Sequence, residues 1–506
     1  MKQDLVAIIE SLEGQSLGPE NTQLAAERSE ALDYYAGKPI GNEIEDRSQV
    51  VSLDTRDSIE WIKPSLCKVF LAGDEIVRFE PRGPEDIEAA EQETFWINNV
   101  ILGQNPGFEI VYCWAHDGLL SKNGYVKAYW EDDNQVSEES YAGLGDEELA
   151  MILQSGAEVV EHTQGMDALG PTHDVKIRIT KPSGKCKIVN IPPEEMLVSS
   201  NHRQVSLLDA DFVQHRRRVT ISDLREMGYD VSDDIRGEES WDDEEHSARN
   251  LYDEEEDDDT EPAMRRVMYR ETYLRTDQDG DGIAELRKVC LVGREILHNE
   301  VCEIIPIACW TPNIMPHRHV GMSLHDAVKD LQIIKSTLLR NALDAQYLSI
   351  HGRHAIDVNR VNLDDMLESR PGGVVRVEGD PGSAISPLYA VVDGTKNIPM
   401  VEYFDQIRQN RTGTSQYFTG VDTNALNKTA SGISQLMGAA QSRVELIARS
   451  MAESGMRDLF RIVHQVVLSH SRREEVVRMR NKWVVIDPRQ WKTRNDMTVS
   501  VGIGTG

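Results

Sequence analysis

Apolar residues recur at every third or fourth position along residues 431–470, the clearest pattern in the chain. Before Gly455 they are Ile433, Leu436, Met437, Ala440, Val444, Ile447, Ala448 and Met451, and after it Leu459, Phe460, Val463, Val466 and Val467. This spacing places them on one helical face. Because no proline interrupts the segment, we predict one helix of about forty residues, roughly 60 Å long. Such a rod is typical of a large assembly or of a coiled coil.

Two shorter helices precede this rod. Residues 321–350 form the first, in which Ser323 and Asp326 are placed to cap the N-terminus. Its predicted apolar face consists of Leu324, Ala327, Val328, Leu331, Ile334, Leu338, Ala342 and Ala345. Residues 396–415 form the second helix, and the small polar residues around Gly420 predict an exposed loop over 416–430.

Alternating apolar and polar positions predict strands in much of the remaining chain. They cover residues 76–79, 124–130, 157–162, 173–180, 186–191, 264–275, 283–291, 304–310, 353–358, 373–377, 482–486 and 497–501. A further strand is predicted to follow the turn at 191–198 and to end near Val213. Helices over 57–71, with a kink or break at Pro64, and over 108–120 lie among them. Strands and helices in this order predict an α+β fold.

Composition limits the class of protein. The chain has 506 residues, 40% of them hydrophobic and 28% charged, which predicts a globular protein with two or more domains. No apolar run reaches the length needed to span a bilayer. The net charge is −32, and the acidic run from Gly237 to Glu261 holds fourteen carboxylates against one arginine. We read residues 232–260 as an acidic insertion. Tight binding to nucleic acid is disfavoured, because affinity for phosphates comes from clustered lysine and arginine.

Motifs for catalysis are missing from the sequence. It contains no phosphate-binding glycine loop, no GxSxG elbow and no HExxH pair. The chain is therefore not expected to be an enzyme or to require a cofactor.

The turn Asp277-Gln-Asp-Gly-Asp-Gly282 is the one candidate metal site. Asp277, Asp279 and Asp281 at alternate positions match the first half of a calcium loop, and Glu285 could add a ligand. The match to an EF-hand fails at its twelfth position, which is Lys288, and strands flank the turn. A structural Ca²⁺ or Mg²⁺ ion and a plain hairpin turn without metal both remain open.

Several segments together resemble the portal proteins of tailed double-stranded DNA phages, in particular those of short-tailed phages. They occur in the same order and cover most of the chain: Arg47–Val51, Asp57–Ser65, Asp326–Asp344, Arg370–Arg376, Gln409–Gly413 and Ala439–Arg449. The resemblance implies a ring-forming portal fold with a mixed α/β wing, an α-helical stem, an α/β clip and a long channel helix.

The resemblance implies which part of the portal fold each segment of the chain forms. The wing is expected over 1–310 and 471–506, the stem helices over 321–350 and 396–415, the clip over 351–395, the tunnel loop over 416–430 and the long helix over 431–470. Family members generally continue into a C-terminal barrel or crown, which is not expected within the sequence printed here.

The resemblance also implies a function. A dodecameric ring at the unique capsid vertex would be assembled in the host cytoplasm with the major capsid protein and scaffold, and would become part of the virion. It would dock the terminase, conduct DNA during packaging and ejection, and later bind head-to-tail adaptor and tail proteins, without contacting a membrane.

The tunnel loop is the segment expected to face DNA. Its candidate contact residues are Thr423, Asn424, Asn427 and Lys428, and Lys428 is the only basic residue among them. This chemistry predicts weak contacts that do not depend on DNA sequence. The alternative is a ring-forming or coiled-coil assembly protein through which no DNA passes.

Overall fold

A computed structural model provides the structure of the 506-residue chain. It describes residues 5–16, 19–71, 73, 75–81, 83, 87–132, 135–145, 149–151, 158–167, 170–181, 184–232, 249, 261–350, 354–368, 372–388, 397–413, 442–470, 475–479, 482–486, 491 and 497–499.

Helices and strands are mixed along the described chain, which confirms the expected combination of α and β structure. Helices α1–α12 are Leu5–Ser16, Pro19–Ala36, Asp54–Leu71, Ile87–Asn99, Gly107–Ser121, Ile221–Glu226, Leu324–Ile350, Leu363–Leu367, Pro381–Ala384, Ile398–Thr412, 442–450 and Arg457–His470. Strands β1–β17 are Val77–Phe79, Gly124–Asp132, Gln135–Leu144, Glu158–Asp167, Gly170–Lys181, Gly184–Ile191, Met196–Val198, Phe212–Thr220, Arg266–Thr276, Glu285–Val292, Glu295–Val301, Ile307–Trp310, His354–Ile356, Ile385–Pro387, Glu475–Met479, Lys482–Ile486 and Met497–Val499.

The largest hydrophobic core forms around the last helices. Segments α11 and α12 are joined by the π-helical turn Met451–Met456. Their buried residues pack with those of α3, α4 and α5 and with the sheet of order β12-β2-β6. The predicted apolar face is therefore confirmed over 442–470, and it lies inside the protein's own core. Residues 431–441 of the predicted rod lie outside the described residues.

Gly455 marks a tight contact of this core. A Cβ atom at this position would lie 2.7 Å from Cζ2 of Trp114 and 2.8 Å from Cβ of Trp310. Both tryptophans are fully buried. Only a residue without a side chain fits between them, because core side chains pack without free space.

A second layer is the antiparallel sheet of order β11-β10-β9-β8-β7. Strands β9 and β10 form a hairpin in which Glu285 pairs with Thr276, so the aspartate turn lies at its tip. Helix α1 packs on this sheet through Leu5 and Ile9. Another sheet has the order β3-β5-β4, and three pairs of strands complete the β structure: β1 with β17, β13 with β14, and β15 with β16.

Helix α3 continues from Asp54 to Leu71 through Pro64 without a break, and buried Ile62 and Leu66 anchor it on both sides of the proline. Two strand predictions are wrong. Residues 373–377 form no strand and make only the isolated bridge between Val361 and Val377.

The turn at 191–198 leads into the short strand β7, and the strand predicted to end near Val213 begins at Phe212 instead as β8.

Candidate functional site

Helices α7 and α10, predicted as the stem, lie side by side and run antiparallel. Arg411 Nη1 is 2.6 Å from Asp330 Oδ1, and Lys335 Nζ is 2.7 Å from Asp405 Oδ1. As residue numbers increase along α7, the residues they contact in α10 have decreasing numbers, so the two helices are antiparallel. Ser323 and Asp326 cap α7 as predicted: each side chain accepts a hydrogen bond from the backbone N–H of the other. Gly413 ends α10 in the left-handed conformation, with φ of 73°.

Asp54 joins both helices to the core. Its Oδ1 atom lies 2.6 Å from Lys335 Nζ of α7 and 3.4 Å from Arg408 Nε of α10, while Ser52 Oγ donates to Oδ2 at 2.8 Å. Asp54 is fully buried and is the first residue of α3, where the helix dipole also favours negative charge. One carboxylate thus fixes the helix pair to the element that carries the core.

Arg408 is buried at the same junction. Its guanidinium carbon lies 4.7 Å from the ring centre of Trp61, within the range of a cation–π interaction. Its nitrogens are 3.7 Å from Asp57 Oδ2 and 3.6 Å from Asp405 Oδ1. Burial raises the pKa of Asp57, and the nearby Arg408 opposes that rise. Two buried cations, Lys335 and Arg408, therefore balance the buried Asp54 of α3 together with two partly exposed carboxylates, one from α3 and one from α10.

The middle of α7 is oriented differently from the prediction. It buries Gln332, Lys335, Ser336 and Arg340, which bond to the segment just before and at the start of α3. Gln332 Oε1 accepts from Thr55 N at 2.9 Å, Ser336 Oγ accepts from Ser52 N at 3.0 Å, and Arg340 Nε donates to Val50 O at 2.9 Å. Buried polar groups need such partners, and segment 50–55 supplies them.

Apolar side chains consequently face outward on the stem helices. Tyr347 and Ile350 are 65% and 69% exposed, and Tyr403 of α10 is 58% exposed. We define the apolar stem surface by its exposed residues Ile334, Leu343, Tyr347, Leu348, Ile350, Ile398, Met400 and Tyr403. These eight side chains are exposed in the single chain, so covering them with another molecule would remove apolar area from water.

The predicted DNA-facing residues are not among those described. Thr423, Asn424, Asn427 and Lys428 fall within 414–441, between α10 and α11. Their role therefore stays a prediction.

The aspartate turn brings three of its four candidate ligands together. One carboxylate oxygen from each of Asp277, Asp279 and Asp281 lies within 4.8 Å of the others. Asp277 accepts from the backbone N–H of Gly280 at 2.6 Å and of Gly282 at 2.8 Å, and these bonds lower its pKa. Glu285 is absent from this group, and its Oε2 accepts from Arg287 Nη1 at 2.9 Å. The oxygen set suits a hard cation such as Ca²⁺ or Mg²⁺, and metal binding stays a prediction.

Histidines and the basic strand are structural in this fold. The Nδ1–H of His319 donates to Gln204 O at 2.9 Å, and Tyr125 Oη lies 3.0 Å from its Nε2. Burial lowers the pKa of His319 and of His325 to about 4, so both are neutral at neutral pH. The basic residues His215–Arg218 lie within β8, and His215 Nε2 contacts Glu195 Oε2 at 2.8 Å.

The Asp54 junction was not predicted from the sequence, although a signal for it exists. Gln332, Lys335, Ser336 and Arg340 recur at helical spacing, and such a polar stripe can be buried when it meets backbone groups. Their partners come from a segment far earlier in the chain, which periodicity within one helix cannot identify.

Comparison with known proteins identifies a family for the chain. A family model described as "Phage SU10 portal protein" matches residues 5–506. The search of curated proteins found no match. Among the described residues, no helix combines the length and the apolar character needed to cross a bilayer.

Proposed function

Because the chain belongs to the phage SU10 portal protein family, we propose that it forms a closed dodecameric ring at the unique vertex of a phage capsid. The ring is the conduit for double-stranded DNA during packaging and ejection. The match over residues 5–506 is the observation that carries this proposal. Portal proteins are structural components of the virion, which fits a role without catalysis.

The parts of the chain take portal roles in this proposal. Residues 1–310 and 471–506 form the wing, 321–350 and 396–415 the stem, 351–395 the clip, 416–430 the tunnel loop and 431–470 the long helix. The antiparallel pairing of α7 and α10 supports a two-helix stem in each subunit. The Asp54 junction supports a stem that is rigidly connected to the wing.

The apolar stem surface supports a contact between subunits. Large side chains such as Tyr347, Ile350 and Tyr403 are more than half exposed in the single chain. In a ring, each subunit offers one face to the preceding copy and a different face to the next, and rotation closes the series. Covering these side chains with a second copy removes apolar area from water, which is favourable.

The strong negative charge supports passage of DNA without tight binding to the protein. With a net charge of −32 the protein repels the phosphate backbone, and any contact falls to a few neutral or basic side chains. The tunnel loop provides them in Thr423, Asn424, Asn427 and Lys428. The loop acts as a sleeve around the duplex.

The partners follow from the same assignment. The clip docks the terminase during packaging and the head-to-tail adaptor and tail proteins afterwards. The wing contacts the major capsid protein and the scaffold while capsids assemble in the host cytoplasm. The motor's ATP hydrolysis belongs to the terminase.

A coiled-coil rod is the alternative assembly, and the long helix argues against it. The helical residues Ile447, Met451, Phe460 and Val463, which a coiled coil would use for its partner, are buried in the chain's own core. Negative-stain electron microscopy of the purified protein tests the proposal. Rings with a central hole are expected, and rods or compact single particles would contradict it.

A further inference from the structure

Two buried carboxylates from separate elements contact the same guanidinium group. Asp117 belongs to α5, and Glu194 belongs to the 3₁₀ turn Pro193–Glu195. Arg249 Nη1 lies 3.2 Å from Asp117 Oδ1, and Arg249 Nε lies 2.7 Å from Glu194 Oε1. The side chains of Glu194 and Asp117 are only 1% and 11% exposed. The contact is therefore a largely buried ion pair of one cation with two anions.

Burial makes these carboxylates dependent on a nearby cation. It raises the pKa of Asp117, and Glu194 raises it further, while Arg249 and the more distant Arg28 lower it. A buried anion without such a partner is costly, and removal of one member of a buried pair is strongly destabilising. The pocket thus requires a positive charge at the place that Arg249 occupies.

Residues outside the acidic insertion hold the pocket in shape. Arg28 of α2 donates from Nε to Ser121 O at 3.0 Å and from Nη1 to Pro193 O at 3.2 Å. It thereby connects the end of α5 to the turn that carries Glu194. The two carboxylates belong to the folded frame, and the guanidinium group comes from a different part of the chain.

Arg249 has a singular position in the sequence. The run Gly237–Glu261 contains fourteen carboxylates, one arginine and no lysine, and Arg249 is that arginine. Six of the carboxylates precede it and eight follow it. The only Lys or Arg side chain of the run is therefore the one that reaches the buried carboxylate pair.

We propose that Asp117 and Glu194 form a guanidinium-binding pocket and that Arg249 occupies it as the anchor of the acidic run. The planar fork of an arginine reaches carboxylates on two elements at once, whereas a lysine offers a single charged nitrogen. The ion pair holds residue 249 of the acidic run against α5, next to the main core. This role is independent of ring formation and of DNA passage.

Chemical rescue tests the pocket in the full-length chain. Arg249→Ala is expected to melt at a lower temperature than wild type, because two buried carboxylates lose their cation. Low-millimolar guanidinium chloride is expected to restore part of the lost melting temperature, since the free ion fits the vacated pocket. Sodium chloride at equal ionic strength serves as the control for screening.

The triple variant Arg249→Ala, Asp117→Asn, Glu194→Gln separates specific binding from a general salt effect. It should show no rise in melting temperature with guanidinium, and neither should wild type, whose pocket is filled. Should Arg249→Ala fail to fold, Arg249→Lys is compared in its place and is expected to melt below wild type. Wild-type melting of the single variant, the absence of rescue, or equal rescue of the single and triple variants would each overturn the proposal.

Discussion

The ammonium group of Lys335 lies 2.6 Å from Oδ1 of Asp54, and the Asp54 side chain is completely buried. The two residues belong to α7 and α3, so this contact crosses from the stem to the core. Arg408 of α10 approaches the same oxygen at 3.4 Å. The position of the helix pair relative to the core therefore depends on one carboxylate.

The first prediction concerns this junction. Asp54→Asn leaves Lys335 and Arg408 without their shared buried anion, and we expect a loss of about 3–5 kcal/mol in the free energy of unfolding. Asp330→Asn is the matched control, because its pair with Arg411 is 56% and 42% exposed. An exposed pair contributes at most about 1 kcal/mol. Denaturant unfolding measures the loss of unfolding free energy in both variants. Equal losses would show that the buried Asp54 pairs contribute no more to stability than the exposed pair does.

The second prediction is a pH dependence of stability. Burial lowers the pKa of His319 to about 4 from 6.5, so the unfolded chain binds this proton first as the pH falls. The stability contributed by the neutral imidazole of His319 is complete above pH 6.5, and it declines as the pH falls toward about 4. At 1.4 kcal/mol per pKa unit, the decline amounts to about 3 kcal/mol.

The slope of unfolding free energy against pH provides the measurement. His319→Gln removes the titrating ring and should flatten the slope between pH 6.5 and 4 relative to wild type. His317→Asn replaces an exposed histidine and serves as the control for the loss of a histidine from the same loop. A wild-type slope in His319→Gln would mean that the ring already titrates alike in the folded and unfolded chain.

The third prediction concerns the aspartate turn. Protein stripped with a chelator should melt at a higher temperature when Ca²⁺ is added, because the ion binds the folded arrangement of Asp277, Asp279 and Asp281. Asp279→Ala should abolish this response. Glu285→Gln should retain it, since Glu285 contacts Arg287 instead of the aspartate group. No shift in wild type would identify the turn as a plain hairpin connection.

The fourth prediction concerns the tunnel loop. Replacing Asn424, Asn427 and Lys428 together by alanine removes the hydrogen-bonding and basic groups while keeping the loop length. Rings and capsids should form normally, and the heads should retain less DNA, as measured by nucleic-acid content per particle. Leu426→Ala in the same loop is the control and should package normally. Unchanged DNA content and infectivity in the triple variant would remove the contact role.

Much of the helical architecture could be predicted because it depends on local periodicity. The spacing from Val444 to Val467 predicts a one-faced helix, and those residues are buried as expected. The same reasoning failed in the middle of α7. Ile334 is exposed there and Lys335 is buried, because the neighbouring segment 50–55 offers polar groups instead of apolar side chains. A helix's own pattern does not specify its neighbour.

Tertiary contacts also explain other differences between the predicted and the observed structure. Pro64 removes one backbone donor from α3, and the buried neighbours Ile62 and Leu66 outweigh that loss. Residues 373–377 have strand-like composition, but Arg376 pairs with Asp365 at 2.6 Å and no ladder forms among the described residues around it. For the aspartate turn, the sequence indicated three clustered carboxylates correctly, whereas the direction of Glu285 follows from the hairpin register.

Native mass spectrometry of the purified full-length chain tests the central claim most directly. A closed portal ring predicts one dominant species with the mass of a dodecamer of the 57.0 kDa chain, stable over a range of concentration and salt. A single dominant species with a slightly different number of subunits would change the proposed stoichiometry but still support a closed ring. A monomer at every concentration and salt, or an open ladder of growing oligomers, would contradict the account.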